Sequence, residues 1–182
     1  MGAVELVFAA GWGAFWLAWI VAALFAKRGR VRWSRQLRVR AVIVVLAILA
    51  VRLVGVRHHG VDHDPWRSGF GLVLFALGLG FAIWARVDIG RNWGIPMTQQ
   101  DDPQLVTRGA YHLVRHPIYS GTLIAAVGTA VALSWWWLVA VALAGVYFLY
   151  SAMDEERYLT QQFPDTYPAY ERSTKMLIPF IF

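Results

Sequence analysis

The chain is divided into apolar blocks long enough to cross a bilayer, and this fixes the solvent in which most of it must fold. Residues 4–26 are apolar except for Glu5, and further blocks run over 41–56, 68–85, 118–133 and 135–153. A hydrocarbon core about 30 Å thick takes roughly 20 residues of α-helix to cross. The blocks lack the stripe of a surface helix and the alternation of a barrel strand. Lipid offers the backbone no hydrogen-bond partner, so such segments must be helical. The expectation is an all-α integral membrane protein with about five transmembrane helices in a single domain over 1–182. Three N-terminal spans would occupy 1–85, and a core over 86–182 would be built on the helix hairpin 118–153 and a C-terminal tail. Block 4–26 lacks the basic start and small-residue exit of a cleaved signal peptide, and is read as a retained span.

Charge gives the orientation. Residues 27–40 hold Lys27, Arg28, Arg30, Arg32, Arg35, Arg38 and Arg40 and no acid, which by the positive-inside rule places that loop in the cytoplasm. Alternation from there puts the N-terminus outside, and 86–117 and 154–182 inside. A multi-pass protein of the cell (inner) membrane is expected. The net charge of +6 comes largely from cations flanking the apolar blocks, so nucleic acid is not an expected partner. The absence of cysteine excludes disulfides, thiolate catalysis and Cys-type zinc sites. Arg52, near the outer end of its block, is read as snorkelling to the interface. The pairs Gly69/Gly71 and Gly78/Gly80 have the spacing of a nucleotide loop, but lie in an apolar block and read as close helix packing. The cluster His58, His59, Asp62, His63 and Asp64 has ligand-type residues but nothing elsewhere to complete a shell. It is read as a solvated loop, with no metal centre expected.

The chemistry concentrates at two places. Tyr111, His112, Arg115, His116, Pro117 and Tyr119 stand immediately before the fourth block, and Asp154-Glu155-Glu156-Arg157 follows the fifth. A helical hairpin brings these two clusters to one membrane face. Pro117 suits the first position of a helix, where its missing N–H costs nothing. The free N–H groups beside Arg115 and His116 form an anion site. Glu155 and Glu156 offer carboxylates, and Tyr111, Tyr119, Tyr158, Phe163, Tyr167 and Tyr170 offer faces to an aromatic base. A nucleoside bearing an amino-acid arm suits such a pocket, and S-adenosyl-L-methionine is the obvious candidate. Taken singly, each cluster also reads as an interfacial anchor or a solvated helix end.

Arg115-His116-Pro117-x-Tyr119, a span, then Glu155-Glu156-x-x-Leu159-x-x-x-Phe163-x-x-x-Tyr167-x-x-Tyr170 and Ile178-Pro179 resembles the isoprenylcysteine carboxyl methyltransferases. It is similar also to the wider group of small membrane methyltransferases that act on phospholipids and thiols. The likeness runs from about Gly90-Arg91-Asn92-Trp93 and Leu105-Val106-Thr107-x-Gly109-x-Tyr111 to the C-terminus. It implies S-adenosyl-L-methionine in a cytosol-facing pocket, leaving as S-adenosyl-L-homocysteine, and a tunnel to the bilayer for a lipophilic or lipidated acceptor. By that analogy Gln104, Leu105, Val106, Tyr111, His116, Pro117, Ile118, Tyr119 and Glu155 line the cofactor pocket. On electrostatic grounds Arg115 and His116 are assigned to the cofactor carboxylate and Glu155 to its ammonium or ribose. Successive helical residues point about 100° apart, so Glu156 must support or face solvent. One departure bears on the acceptor. The prenylcysteine enzymes resemble one another in an arginine one turn before the first glutamate, and here that position is Ser151. Arg52, Arg86 or Arg157 would have to replace it, or the acceptor is not a prenylcysteine carboxylate.

Methyl transfer of this kind needs alignment and exclusion of water, and no metal. A carboxylate, thiol or amine can be the nucleophile, and His116 or a tyrosine can take a proton from the last two. Two rivals stand beside this reading: an NADPH-dependent reductase of the sterol-reductase type, and a non-catalytic membrane protein. Against transport, no charge lies near the middle of any block.

Overall fold

The computed structural model describes residues 2–24, 29–31, 42, 45, 49, 64–93, 98–100 and 104–181. Helix α1 spans Ala3–Leu24, α2 Pro65–Ile89, α3 Ala110–Leu113, α4 Pro117–Leu133, α5 Trp137–Gln162 and α6 Tyr167–Ser173, with a 3-10 turn at Gly90–Asn92. Three of these helices are long and apolar enough to cross a membrane, and α4 is a shorter apolar one. Their outward side chains, Leu17 and Leu77 among them, are exposed. That is the expected condition of helices whose solvent is lipid. The protein is therefore an all-helical membrane protein, with one addition to the expectation. Strands β1 (Gly29–Val31) and β2 (Thr98–Gln100) pair antiparallel, Arg30 opposite Gln99, and so link the segments that follow α1 and α2. The second expected span, 41–56, lies outside the described residues apart from Val42, Val45 and Leu49, which are exposed. Arg52 and the loop through His63 lie outside them too.

Contacts along the helices give their directions. Phe8 of α1 packs at a tilt and Trp12 edge-on against Phe75 of α2, and farther along Trp19 meets Trp93 while Arg86 donates to Ala22 O. Helices α1 and α2 thus run the same way. Helix α4 runs antiparallel to α2, since Arg67 near the start of α2 donates to Val131 O near the end of α4.

The α2–α4 contact is built on small residues. A Cβ added at Gly71 would stand 2.5 Å from Gly128 O, and one at Gly121 would stand 2.6 Å from Gly78 O. Only glycine permits backbones this close, and in lipid such proximity supplies the van der Waals attraction that the hydrophobic effect does not. Gly69 and Gly80, the other members of the two pairs, meet nothing within 4 Å. Each pair therefore contributes one packing glycine and no nucleotide turn. Asp64, from the histidine-rich loop, is the N-cap of α2, accepting from Trp66 N at 3.0 Å. Among the described residues no group of three potential metal ligands occurs.

Helices α4 and α5 form the expected hairpin, joined at Ser134-Trp135-Trp136 with the three tryptophans 135–137 exposed. Helix α5 continues to Gln162 and does not end at Met153, so Glu155 and Glu156 sit on a regular helix.

Candidate functional site

The site forms where the start of α4 meets the last turns of α5 and the C-terminal tail. Pro117 occupies the first turn of α4 and the preceding backbone is extended at Val114. That extended stretch pairs with the tail: Arg115 N donates to Lys175 O at 2.8 Å and His116 N to Met176 O at 3.1 Å. Ser120 Oγ closes the strap on Leu177 O at 2.6 Å. Upstream, Gly109 enters α3 with φ +60, and Asp88 Oδ2 accepts from Ala110 N at 2.8 Å. A Cβ at Gly109 would collide with the Asp88 carboxylate, so both conformation and space demand glycine.

Within this frame, the two glutamates diverge as one helix must make them. Glu156 is buried, and its Oε1 accepts from Arg115 Nε at 2.7 Å and lies 3.1 Å from His116 Nε2. Arg115 Nη1 donates further to Glu171 O at 3.0 Å and to Thr174 O. Burial alone would lower the Arg115 pKa, but the hydrogen bond and charge of Glu156 hold it above its ordinary value. Arg115 is thus a clamp between α5 and the tail strap. Glu155 points elsewhere, with its side chain 40% exposed, 3.7 Å from His116 Nδ1 and accepting from Tyr119 Oη at 3.3 Å.

An aromatic stack extends from this cluster into the membrane region. His116 lies parallel to Tyr119, with ring centroids 5.5 Å apart, and Tyr119 lies parallel to Phe148 at 4.7 Å. Phe148 in turn lines a cavity of about 870 Å³ between α1, α4 and α5, along with Phe8, Trp12, Ala126, Trp137 and Ala144. Residues 144, 148, 151 and 155 fall on one face of α5 by helical spacing. The cavity wall and the Glu155 carboxylate are therefore parts of the same stripe. Ser151 lies on that stripe, fully buried, and its Oγ has no hydrogen-bond partner among the described residues.

Of the remaining candidates, Val106, Tyr111 and Ile118 come together against Ala85 and Ala110. Tyr170 Oη donates to Tyr111 O at 2.6 Å, which fixes α6 beside them. Burial raises the Tyr111 phenol well above its usual pKa, and the nearby charge of Glu155 adds to the rise. Burial likewise raises Tyr167 and Tyr170. Leu105 is half-buried, and Gln104, exposed, accepts from Asn92 Nδ2 at 3.4 Å, away from the Arg115–Glu156 pair. Arg86 is committed to Gly90 O and Ala22 O and lies over the Trp93 ring, and Arg157 is exposed. The tail strap, the Asp88–Ala110 cap and Phe148 are not among the residues expected from the sequence to form the site. Only Phe148 left a signal, its place two helical turns before Glu155.

The sequence matches the phospholipid methyltransferase family over residues 66–166, which takes in α2 through α5 and both halves of the polar cluster. The chain belongs to the phospholipid methyltransferase family. Protein-S-isoprenylcysteine O-methyltransferase B of Arabidopsis thaliana is 35% identical over 127 residues, covering 67% of this chain and 64% of that protein. Its A counterpart is 33% identical over 146 residues, covering 78% and 74%. A methanethiol S-methyltransferase of a Pseudomonas species is 31% identical over 125 residues, covering 64% and 48%. The chain thus spans less than two thirds of the first relative's length. The family match over 66–166 does not take in α1 or the strap at 174–177.

Proposed function

We propose that this protein transfers a methyl group from S-adenosyl-L-methionine to a lipophilic acceptor that reaches the site from the bilayer. The observation that carries this reading is the continuity along α5. One helix face presents an apolar cavity wall to the membrane and ends at a partly exposed carboxylate among aromatic rings. The residues present suit the cofactor: Glu155 offers a carboxylate to a cation, Tyr119 and Tyr111 offer aromatic surface, and Ser151 Oγ is buried without a partner among the described residues. When bound, the cofactor supplies an electrophilic methyl group on a sulfonium. The protein's part is to align donor and acceptor and to keep water out. Glu155 would hold the ligand's cationic arm, Tyr119 and Phe148 would line the passage through which the acceptor reaches it, and the buried Arg115–Glu156 pair keeps α5 and the tail in register. The core over 86–182 carries this chemistry on the cytoplasmic face, the N-terminus lies outside, and α1 completes the acceptor's path.

Relatives named for an isoprenylcysteine and for methanethiol support a carboxylate or a thiol as acceptor. Ser151 favours the thiol, or an amine, because it offers no cation to a carboxylate. The reductase alternative would require cations for a dinucleotide phosphate, yet Arg86 and Arg115 are both committed to protein acceptors. The test is incubation of nanodisc-embedded protein with methyl-labelled S-adenosylmethionine and a panel of long-chain thiols, amines and carboxylic acids. Label in the thiol or amine products is expected. No transfer to any of them, together with stabilisation by NADPH, would turn the reading to a reductase.

A further inference from the structure

How the proton of His116 is placed decides what the cluster can bind. The Oε1 of Glu156 faces both Arg115 Nε and His116 Nε2. A carboxylate paired with a guanidinium only accepts, so Nε2 must carry hydrogen. In the neutral ring the other nitrogen is then a bare acceptor. That nitrogen, Nδ1, faces Glu155 Oε2 across 3.7 Å, a gap too wide for a hydrogen bond and, in this tautomer, without a hydrogen to fill it. No hydrogen bond among the described residues is made at Nδ1. Two acceptors held face to face are unfavourable until a donor enters. A charged nitrogen about 2.8 Å from each atom completes a triangle on the 3.7 Å base, so one donor can bond to both.

We propose that Glu156 is a positioning residue that sets His116 in its Nε2–H tautomer, and that Nδ1 with Glu155 thereby forms a two-acceptor slot for a primary ammonium group. The identity of that ammonium rests on the reading above: it is the amino group of the S-adenosyl ligand's methionine arm. This departs from assigning His116 to the ligand's carboxylate. The surroundings agree with a slot for a cation. Arg115, the nearby guanidinium, is drawn away by Glu156 and two carbonyls, and the Tyr111, Tyr167 and Tyr170 phenols bring no charge.

The test uses full-length protein in nanodiscs and two ligands, S-adenosylhomocysteine and its deaminated analogue, in which hydrogen replaces the amino group. Calorimetry on the natural chain is expected to favour S-adenosylhomocysteine by about tenfold or more, the range of a charge-assisted hydrogen bond. His116→Gln puts an amide where Nε2 was, keeping the bond to Glu156 while leaving nothing at Nδ1. It is expected to close most of that gap by weakening S-adenosylhomocysteine alone. An unchanged gap in H116Q would overturn the slot. Histidine NMR, with His116 assigned by difference from H116Q, reads the tautomer directly in the free protein. The Nε2–H form is expected, and the Nδ1–H form would overturn the role of Glu156. If neither ligand binds while the Nε2–H form is found, the cofactor reading and the slot both fall and the positioning role stands.

Discussion

The contact between α2 and α4 and the space between α1, α4 and α5 treat the same problem in opposite ways. Both are made of apolar helices that lie in lipid, where burying one against another gains little from the hydrophobic effect. In the first, Gly71, Gly78, Gly121 and Gly128 remove side chains and the backbones meet. In the second, Phe8, Trp12, Trp137 and Phe148 hold the helices apart around a cavity of about 870 Å³. The close contact gives rigidity, and the propped one gives room. Helix α4 takes part in both, so the rigid pair sets the position of the wall against which a ligand would lie.

The largest effects should come from exchanging these two characters. Gly78→Leu drives a side chain into the α4 backbone and should cost about 3 kcal/mol or more, read as loss of the cooperative melt in detergent. Ala144→Phe fills the cavity instead. It should leave the melt within about 1 kcal/mol of the natural chain while cutting turnover of a long-chain acceptor at least tenfold. A comparable loss of stability in both variants would erase the distinction between packing and room.

The adjacent glutamates show the same contrast at the polar end. Glu156→Ala leaves the Arg115 guanidinium buried without its partner and should cost about 3–5 kcal/mol. Glu155→Ala removes a partly exposed carboxylate and should change stability by no more than about 1 kcal/mol, while ligand binding is lost. Equal melting points for the two variants would contradict the division of labour between them.

A smaller effect is expected from alkali. A phenol whose pKa is higher folded than unfolded contributes stability that is fully present below its unfolded value of about 10, and that is lost as pH rises through the folded value. Tyr111, Tyr167 and Tyr170 all have raised values. Melting points should therefore fall from pH 10 upward, and Tyr167→Phe should flatten the decline. Because Tyr167 Oη is buried without a partner among the described residues, the same substitution should not destabilise at neutral pH. The smallest effect is at Gly80, where an added methyl meets nothing. Gly80→Ala should stabilise by up to about 1 kcal/mol, in contrast to any enlargement at Gly78.

Much of this was legible in the sequence because bilayer crossing and helical spacing leave few alternatives. Apolar length gave the helices, and the hairpin between Pro117 and Glu155 placed Arg115, His116, Tyr119 and the two glutamates at one end. Two features were not legible. The sequence assigned Arg115 to a ligand, and nothing in residues 171–177 announced that their carbonyls and Glu156 would occupy it. Backbone acceptors carry no sequence signature. Nor did Phe148 stand out, since an aromatic ring in an apolar block reads as lipid-facing until a neighbour such as Tyr119 is placed beside it. The spacing of Glu155 and Glu156 predicted that they would diverge, but which one turned inward depended on the position of Arg115.

Glu155 serves a ligand while Glu156 serves the fold. The decisive experiment titrates S-adenosylhomocysteine into the nanodisc-embedded natural chain and its Glu155→Ala variant. Saturable binding to the natural chain, absent from a variant that melts at the same temperature, is the predicted result. Undiminished binding by the variant, or no binding by the natural chain, would remove Glu155 from a ligand site.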